Sequence, residues 1–357
     1  MSKICILSAV NIKHMSLISL YTQRLIRDGI DFDIIYMDKY GEDEDFPAKR
    51  KYAFTNKVKH ELPRFVKVFQ YFKFRKFAIP IIKKNDYDFI IVWNDVAIFM
   101  FADYLARCWK NKYCLNIRDY SSQNKKLLRR RYERVIKNSA FTTISSDAFE
   151  KFLPPHDYVH VHSLNMDVLS TIEPRKSFRK AGEPIRITFI GNVRFFEPNK
   201  KLLDVFKNDD RFELGYYGTN ANVLRDYANE NGIKNAVFHD AFPLAQTADF
   251  IRKTDVINNL YGSRVASLDN ALSIKLYYGV YGRMPVLVNK GTHSDSLTSQ
   301  YGIGFGVEEI SKNFKEEFFE WYTSLNFEAF NKGCQTLLDK IEAENQSFES
   351  CYTKFLK

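Results

Sequence analysis

Ile187-Thr-Phe-Ile-Gly-Asn-Val-Arg194 is the stretch on which the reading of the fold turns. With Ile185 and Arg186 it predicts a strand over 185–190, apolar enough to be buried on both faces of a parallel sheet. Gly191 follows that strand and permits close backbone approach. Arg194 then offers a planar fork suited to phosphate oxygens.

Working forward from this stretch, strands and helices alternate. Helices are expected at 200–207, 222–231, 245–252 and 272–281, with Gly232 and Gly282 as stop signals. Strands are expected at 212–217, 236–239, 255–260 and 285–289, and the chain from Lys312 onward reads as mainly helical. Working backward, residues 165–184 lose the rhythm, with Pro174, Gly182 and Pro184 among scattered charges, as a linker would. Before it lies a second alternating set. Its strands are expected at 3–10, 31–37, 87–93, 112–117 and 141–145, and its helices at 16–28, 96–109 and 121–138. Such alternation implies right-handed crossovers and parallel sheets. The chain therefore reads as α/β in two units, and 357 residues are enough for two cores. The boundaries drawn are a first domain at 1–170, a linker at 171–184, a second domain at 185–320, and C-terminal helices at 321–357 that pack back toward the first domain. Open sheets of this kind bind ligands beyond the carboxyl ends of their strands.

Composition removes several classes. Hydrophobic residues make up 45% and charged residues 27%, which excludes disorder as a whole-chain description. Five widely spaced cysteines without a Cys-x-x-Cys pair argue against a disulfide framework or a zinc site and for a reducing compartment. The first residues run straight into a strand without a signal-peptide pattern, and Asp95 and Asp103 interrupt the longest apolar stretch, so no membrane span is expected.

The net charge of +10 lies entirely in residues 1–170, which carry 29 Lys and Arg against 19 Asp and Glu. Within 49–84 there are 12 basic residues against Glu61 alone, interleaved with Tyr52, Phe54, Phe65, Phe69, Tyr71, Phe72, Phe74 and Phe77. A second basic cluster runs over 125–137. Basic residues among aromatics suit the headgroup region of an anionic bilayer. The expected location is therefore cytoplasmic, at the inner face of the cell membrane. No motif of a nucleic-acid-binding fold accompanies the charge, and no nucleic-acid partner is expected.

Three segments in the second half resemble GT-B glycosyltransferases. Ile187–Arg194 is similar to the Phe-(Ile/Val)-Gly-x-(Ile/Leu)-Arg segment that opens their donor domain. Ser273-Ile-Lys-Leu-Tyr-Tyr-Gly-Val-Tyr-Gly-Arg-Met-Pro-Val286 is similar to their Lys-Leu-Tyr-Glu-Tyr-Leu-Ala-x-Gly-x-Pro-Val segment, and Tyr301-Gly-Ile-Gly-Phe-Gly306 to the strand that follows. The resemblance implies two Rossmann-like domains whose parallel sheets face across a cleft, acting on a nucleotide-sugar, UDP-linked by expectation. It places Arg194 and Lys275 on the donor diphosphate, beside Gly191 and Pro285. Fixed cations there would stabilise the charge growing on the leaving group. No Asp-x-Asp motif occurs, and neither metal nor other cofactor is expected.

One departure is marked. Where many retaining members carry a Glu that holds the ribose, this chain has Tyr278, and Asn270 stands at the partner acidic position, next to Asp269. Both remain candidates for contact with the nucleotide, while the stereochemical course is left open. A base for the acceptor hydroxyl is sought in loops after strands of the first half, where Asp119 and His14 are the candidates. The resemblance implies a lipid-linked saccharide acceptor in capsule or exopolysaccharide assembly. The alternatives are a non-catalytic partner of another transferase and a sugar-nucleotide epimerase of the same fold.

Overall fold

The computed structural model describes residues 2–15, 17–55, 64–119, 126–179, 182–262 and 265–357, without the side chains of 64–68 and 126–128. The chain divides into two compact units. Unit 1 comprises 1–162 and 343–357, and unit 2 comprises 163–342.

Unit 1 contains the strands β1 (Ile4–Ser8), β2 (Phe32–Asp38), β3 (Arg50–Thr55), β4 (Phe89–Trp93), β5 (Tyr113–Ile117), β6 (Phe141–Ile144) and β7 (Val159–His160). Its helices are α1 (Ser19–Arg27), α2 (Arg64–Asn85), α3 (Asp95–Cys108) and α4 (Lys126–Lys137). Among the described residues the strands form one sheet in the order β3-β2-β1-β4-β5-β6-β7, every pairing parallel. β1, β2 and β5 are buried along their whole length, as their apolar sequences require. On one face, Cys5, Leu7 and Val92 pack with Phe74 of α2, Phe101 of α3 and Val135 of α4. On the other, Ile4, Ile6 and Ile34 pack with Tyr21 and Leu25 of α1. The strand β3 was not expected. It alternates in exposure, as an edge strand does, and is anchored where Arg50 pairs with the buried Asp33 at 2.7 Å.

Unit 2 contains β8 (Ile185–Ile190), β9 (Phe212–Tyr217), β10 (Ala236–His239), β11 (Val256–Asn258), β12 (Val286–Asn289) and β13 (Gly304–Val307). The described strands form a parallel sheet in the order β10-β9-β8-β11-β12-β13. Its helices are α5 (Met166–Leu169), α6 (Phe196–Val205), α7 (Ala221–Glu230), α8 (Thr247–Arg252), α9 (Ala266–Asp269), α10 (Ile274–Gly282), α11 (His293–Gln300), α12 (Phe314–Ser324) and α13 (Phe327–Leu356).

The segment 171–184, read as a linker, packs closely within unit 2. Ile172 is buried, and Arg175 and Arg179 reach the buried Asp255 at 2.8 and 2.7 Å, joined by Arg186 at 3.0 Å. Gly282 does not close its helix as expected: it lies inside α10, and Arg283 takes the left-handed conformation at φ 55°. Its guanidinium donates to the Val280 carbonyl at 2.9 Å and to Gln335 at 2.7 Å, which offsets the strain of that backbone.

The helix α13 runs from unit 2 into unit 1. Its last turns supply Phe348, Tyr352 and Phe355 to the core beside α1. Tyr21 meets Phe348 and Tyr352 edge-on at 5.3 and 5.6 Å, and the Tyr352 hydroxyl donates to the Tyr21 carbonyl at 3.0 Å.

Candidate functional site

Beyond the carboxyl ends of β8 and β9 the unit 2 backbone makes a close crossing. Gly191 has φ 123° and Gly218 φ 139°, values that side-chain-bearing residues rarely adopt. A Cβ on Gly218 would sit 2.0 Å from the Gly191 carbonyl oxygen, so that position admits only glycine. The crossing floors a cavity of about 230 Å3 whose walls include Asn192, Thr219, Phe242, Thr247, Ile274 and Tyr278. Among its described lining residues there is no carboxylate and no histidine. Gly191 and Tyr278 were read as site residues and are brought together here. Gly218, Thr219 and Phe242 were not singled out. For Gly218 the signal was present, because it ends an apolar strand just as Gly191 does.

The helix α10 supplies another wall. Ser273 caps it by accepting from the Lys275 backbone N–H at 3.1 Å, and Tyr261 makes a 2.8 Å hydrogen bond to the Ser273 hydroxyl. Asn289 at the end of β12 accepts from the backbone of Tyr261 and Gly262 at 2.9 and 3.0 Å, fixing that loop. Tyr278 is buried along α10, and burial pushes its phenol up to about 12, with Tyr261 adding to the shift, so the group is neutral.

Lys275 is 5% exposed. Its ammonium lies 4.2 Å from the ring centre of Phe189 and 4.6 Å from that of Tyr261, with no carboxylate or hydrogen-bond acceptor beside it among the described residues. Aromatic faces attract a cation but leave its charge uncompensated. Arg194 is exposed, and its guanidinium lies 5.8 Å from the Phe195 ring without an ion pair among the described residues. Phe195 meets Tyr261 edge-on at 5.0 Å. Arg194 and Lys275 thus belong to one chain of ring contacts running through Phe195 and Tyr261. Asn270 is placed elsewhere: it ends α9, and its amide donates to the Ala266 carbonyl at 2.8 Å.

In unit 1 the candidates follow the carboxyl ends of their strands. His14 lies in a one-turn 3-10 helix after β1, exposed, with a 2.8 Å hydrogen bond between Nε2 and the Tyr40 hydroxyl. That turn is held by Glu44, whose carboxylate accepts from the backbone of Ile12 and Lys13 at 3.0 and 2.6 Å. Asp119 is exposed two residues beyond β5. After β4, Asn94 adopts φ 71° and ψ 159°, an uncommon conformation, and caps α3 by accepting from Ala97 at 3.0 Å. Such backbone strain clusters at ligand sites, and nothing in the order of residues signals it.

The basic aromatic stretch resolves into two roles. Positions 56–63 and Lys125 lie outside the described residues, as do the side chains of Phe65 and Lys126. Phe74 and Phe77 of α2 pack on the core, where Phe54 meets them at 5.8 and 5.4 Å. Phe69 and Phe72 do not: they are 62% and 60% exposed, with the Lys73 ammonium 5.0 Å from the Phe69 ring. On α4, Arg129, Arg130 and Lys137 are exposed, while Arg131 pairs with Asp103 at 2.8 Å. No described helix is long and apolar enough to cross a membrane.

No known family profile matches the chain, and no curated protein matches it in sequence. Solved structures do match. Sucrose-phosphate synthase from Thermosynechococcus elongatus superposes with a TM-score of 0.72 at 12% identity, covering 99% of each chain. A glycosyltransferase from Rickettsia africae gives 0.66 at 12% identity over 100% of this chain and 99% of that one. Anabaena HepE in complex with UDP gives 0.66 at 11% identity over 99% and 100%.

This is the GT-B fold.

Within the GT-B fold the crossing of Gly191 and Gly218 and the capped start of α10 belong to the second Rossmann-like domain. The expected α/β architecture of two parallel-sheet domains is the one observed.

Proposed function

We propose that the chain is a glycosyltransferase that moves a sugar from a nucleotide-sugar, UDP-linked in the first instance, to a lipid-linked glycan at the inner face of the cell membrane. The observation that carries this reading is Lys275, a buried ammonium held by two aromatic faces and lacking a described anion. It follows Ile274, a wall of the cavity floored by Gly191 and Gly218. A diphosphate supplies the missing charge, with Arg194 as a second cation and no metal required. Lys275 also sits in the first turn of α10, where the helix dipole favours anions. The neutral phenol of Tyr278 hydrogen-bonds the nucleotide or the sugar in place of the usual carboxylate.

In the proposed reaction the acceptor hydroxyl loses its proton to a base, with Asp119 or His14 as candidates. Its oxygen bonds to the anomeric carbon, and the bond from that carbon to the diphosphate breaks, leaving both electrons on the departing oxygen. UDP is the nucleotide held by the structurally similar HepE, and the similar WaaG is a glycosyltransferase involved in lipopolysaccharide biosynthesis. A putative UDP-N-acetylglucosamine 2-epimerase from Listeria monocytogenes also shares the fold, at a TM-score of 0.58. The described cavity lining offers no acid or histidine for that chemistry. We assign the exposed Phe69, Phe72 and Lys73 of α2, with the outer basic face of α4, to contact with anionic lipid.

Thermal-shift and calorimetric titration against UDP, GDP, dTDP and CMP and their sugars test the donor reading. One nucleotide diphosphate should bind and raise the melting temperature. Lys275→Met, which keeps the length and loses the charge, should weaken that binding about 10–100-fold, the worth of a charge-assisted hydrogen bond. Binding unchanged in Lys275→Met would remove the diphosphate role.

A further inference from the structure

Asn259 follows β11 at the carboxyl ends of the unit 2 strands and is 3% exposed. Its backbone N–H serves the sheet, donating to the Leu287 carbonyl at 3.0 Å. Its side chain does not share in that bonding. The carbonyl oxygen Oδ1 is buried without a hydrogen-bond partner, and the side-chain nitrogen donates to none of the described residues. The preceding Asn258 shows a satisfied amide for contrast: Nδ2 donates to Asn199 at 2.9 Å, and Oδ1 accepts from the Leu260 N–H at 3.1 Å. A buried carbonyl left unmet lowers stability and is uncommon in a folded chain. Such a group calls for a partner that the chain itself does not supply.

The sheet fixes where that amide lies. β11 runs beside β8 with Val256 opposite Ile187 and Ile257 opposite Thr188. The same register carried onward sets Asn259 beside Ile190. Alternation along the strand puts it on the Ile257 face, which packs against Leu276 and Tyr278 of α10. Ile190 and Tyr278 are walls of the cavity floored by Gly191 and Gly218. Its described lining is apolar at Phe242, Leu244 and Ile274 and carries no charged side chain. The parts of a nucleotide-sugar differ: the diphosphate is charged, both sugars are hydroxylated around their rings, and the base has apolar faces with polar edges. The base is the part that suits such walls. Uracil presents an N–H between two carbonyls at one edge. A primary amide complements that edge, since Oδ1 accepts from the N–H while Nδ2 donates to a carbonyl beside it.

We propose, on the transferase reading above, that Asn259 selects the base of the donor, its amide hydrogen-bonding the imide edge of uracil. Oδ1 is the acceptor that the base N3–H completes. A nucleotide without that N–H leaves the buried carbonyl unmet in the complex as well, which is how a hydrogen-bonding site rejects an analogue.

Calorimetric titration of the full-length chain with UDP, and with UDP methylated at N3 so that the N–H is lost, tests this. The parent should bind UDP about 10–100-fold more tightly than the methylated compound, the usual worth of leaving a buried acceptor unpaired. Asn259→Leu should bind UDP more weakly by a similar factor and lose the discrimination. Its melting temperature without nucleotide should stay level or rise, because an unmet carbonyl gives way to methyl groups. If Asn259→Leu fails to fold, Asn259→Ala takes its place in the comparison. Equal affinity of the parent for both compounds, or discrimination kept in the variant, would overturn the role of Asn259 while leaving the transferase reading intact. Binding of GDP or CMP with no affinity for UDP would do the same. No binding of any nucleotide would instead remove the transferase reading, and this role of Asn259 with it.

Discussion

At the level of single residues, the setting of Lys275 is decided by what surrounds it. A lysine in a first helical turn is ordinarily a solvated charge. Here Phe189 and Tyr261 hold Lys275 in place while leaving its charge unanswered. Lys275, Gly191 and Tyr278 were legible in the sequence because strand, glycine and helix start follow one another in a fixed order. The ring contacts were not, because Phe189, Phe195 and Tyr261 come from segments that only the fold assembles. Asn270 was read from spacing alone, which does not show that its amide donates to the Ala266 carbonyl at the end of α9. In the first half, Asp119 is the sharper candidate for the base. Asp119→Asn should lower turnover by about 10²–10⁴-fold, the usual worth of general base catalysis, while calorimetry shows the donor affinity unchanged. Turnover within a factor of two of the parent would remove Asp119 from that role.

The elements divide the aromatic residues of α2 between two environments. One set joins the core with Phe74, while Phe69 and Phe72 stand outside it. The sequence predicted a basic aromatic stretch but could not sort its rings, because apolar and basic residues are mixed all round that helix. Replacing Phe69 and Phe72 together by Ser should release the protein from anionic vesicles at physiological salt while leaving its melting temperature within a degree or two, since neither ring is buried. Equal co-sedimentation of parent and variant would move the lipid contact elsewhere. The edge strand β3 was missed because its alternation of Lys, Tyr, Ala and Phe lacks an apolar run. The segment after α5 was read as a linker from Pro174, Gly182 and Pro184 among scattered charges, whereas its Arg175 and Arg179 converge with Arg186 on Asp255. Burial raises that carboxyl's pKa, but the guanidiniums and the Arg186 backbone N–H overcome this and hold it below the usual carboxylate range. The unfolded chain titrates near about 3.9. The stabilisation is therefore complete above that pH and fades as pH falls through the lower, folded value. Asp255→Asn should melt well below the parent at pH 7, and the gap should narrow below about pH 4 in melting curves; a gap constant down to pH 3 would contradict this.

At the scale of the whole molecule, the two-sheet layout was the most legible feature, because parallel strands buried on both faces betray themselves as apolar runs. The division of the chain was less so. Residues 343–357 belong to the unit that begins at the other end of the sequence, and the signal for this is a spacing of Phe348, Tyr352 and Phe355 along a helix, which says nothing of what they touch. Ending the chain at residue 342 should destabilise unit 1 by on the order of 5 kcal/mol, from three buried aromatics at about 1.5–3 kcal/mol each less the compactness of the unfolded state. Unit 2 should keep its own transition, and a calorimetric trace with both transitions unmoved would refute the assignment. A different consequence concerns birth order. On the ribosome, the contiguous unit 2 has all of its residues in hand before unit 1 receives Tyr352. A domain that starts first finishes last, and until translation passes residue 355 the hydrophobic face beside Tyr21 waits uncovered, a window in which chaperones would find it.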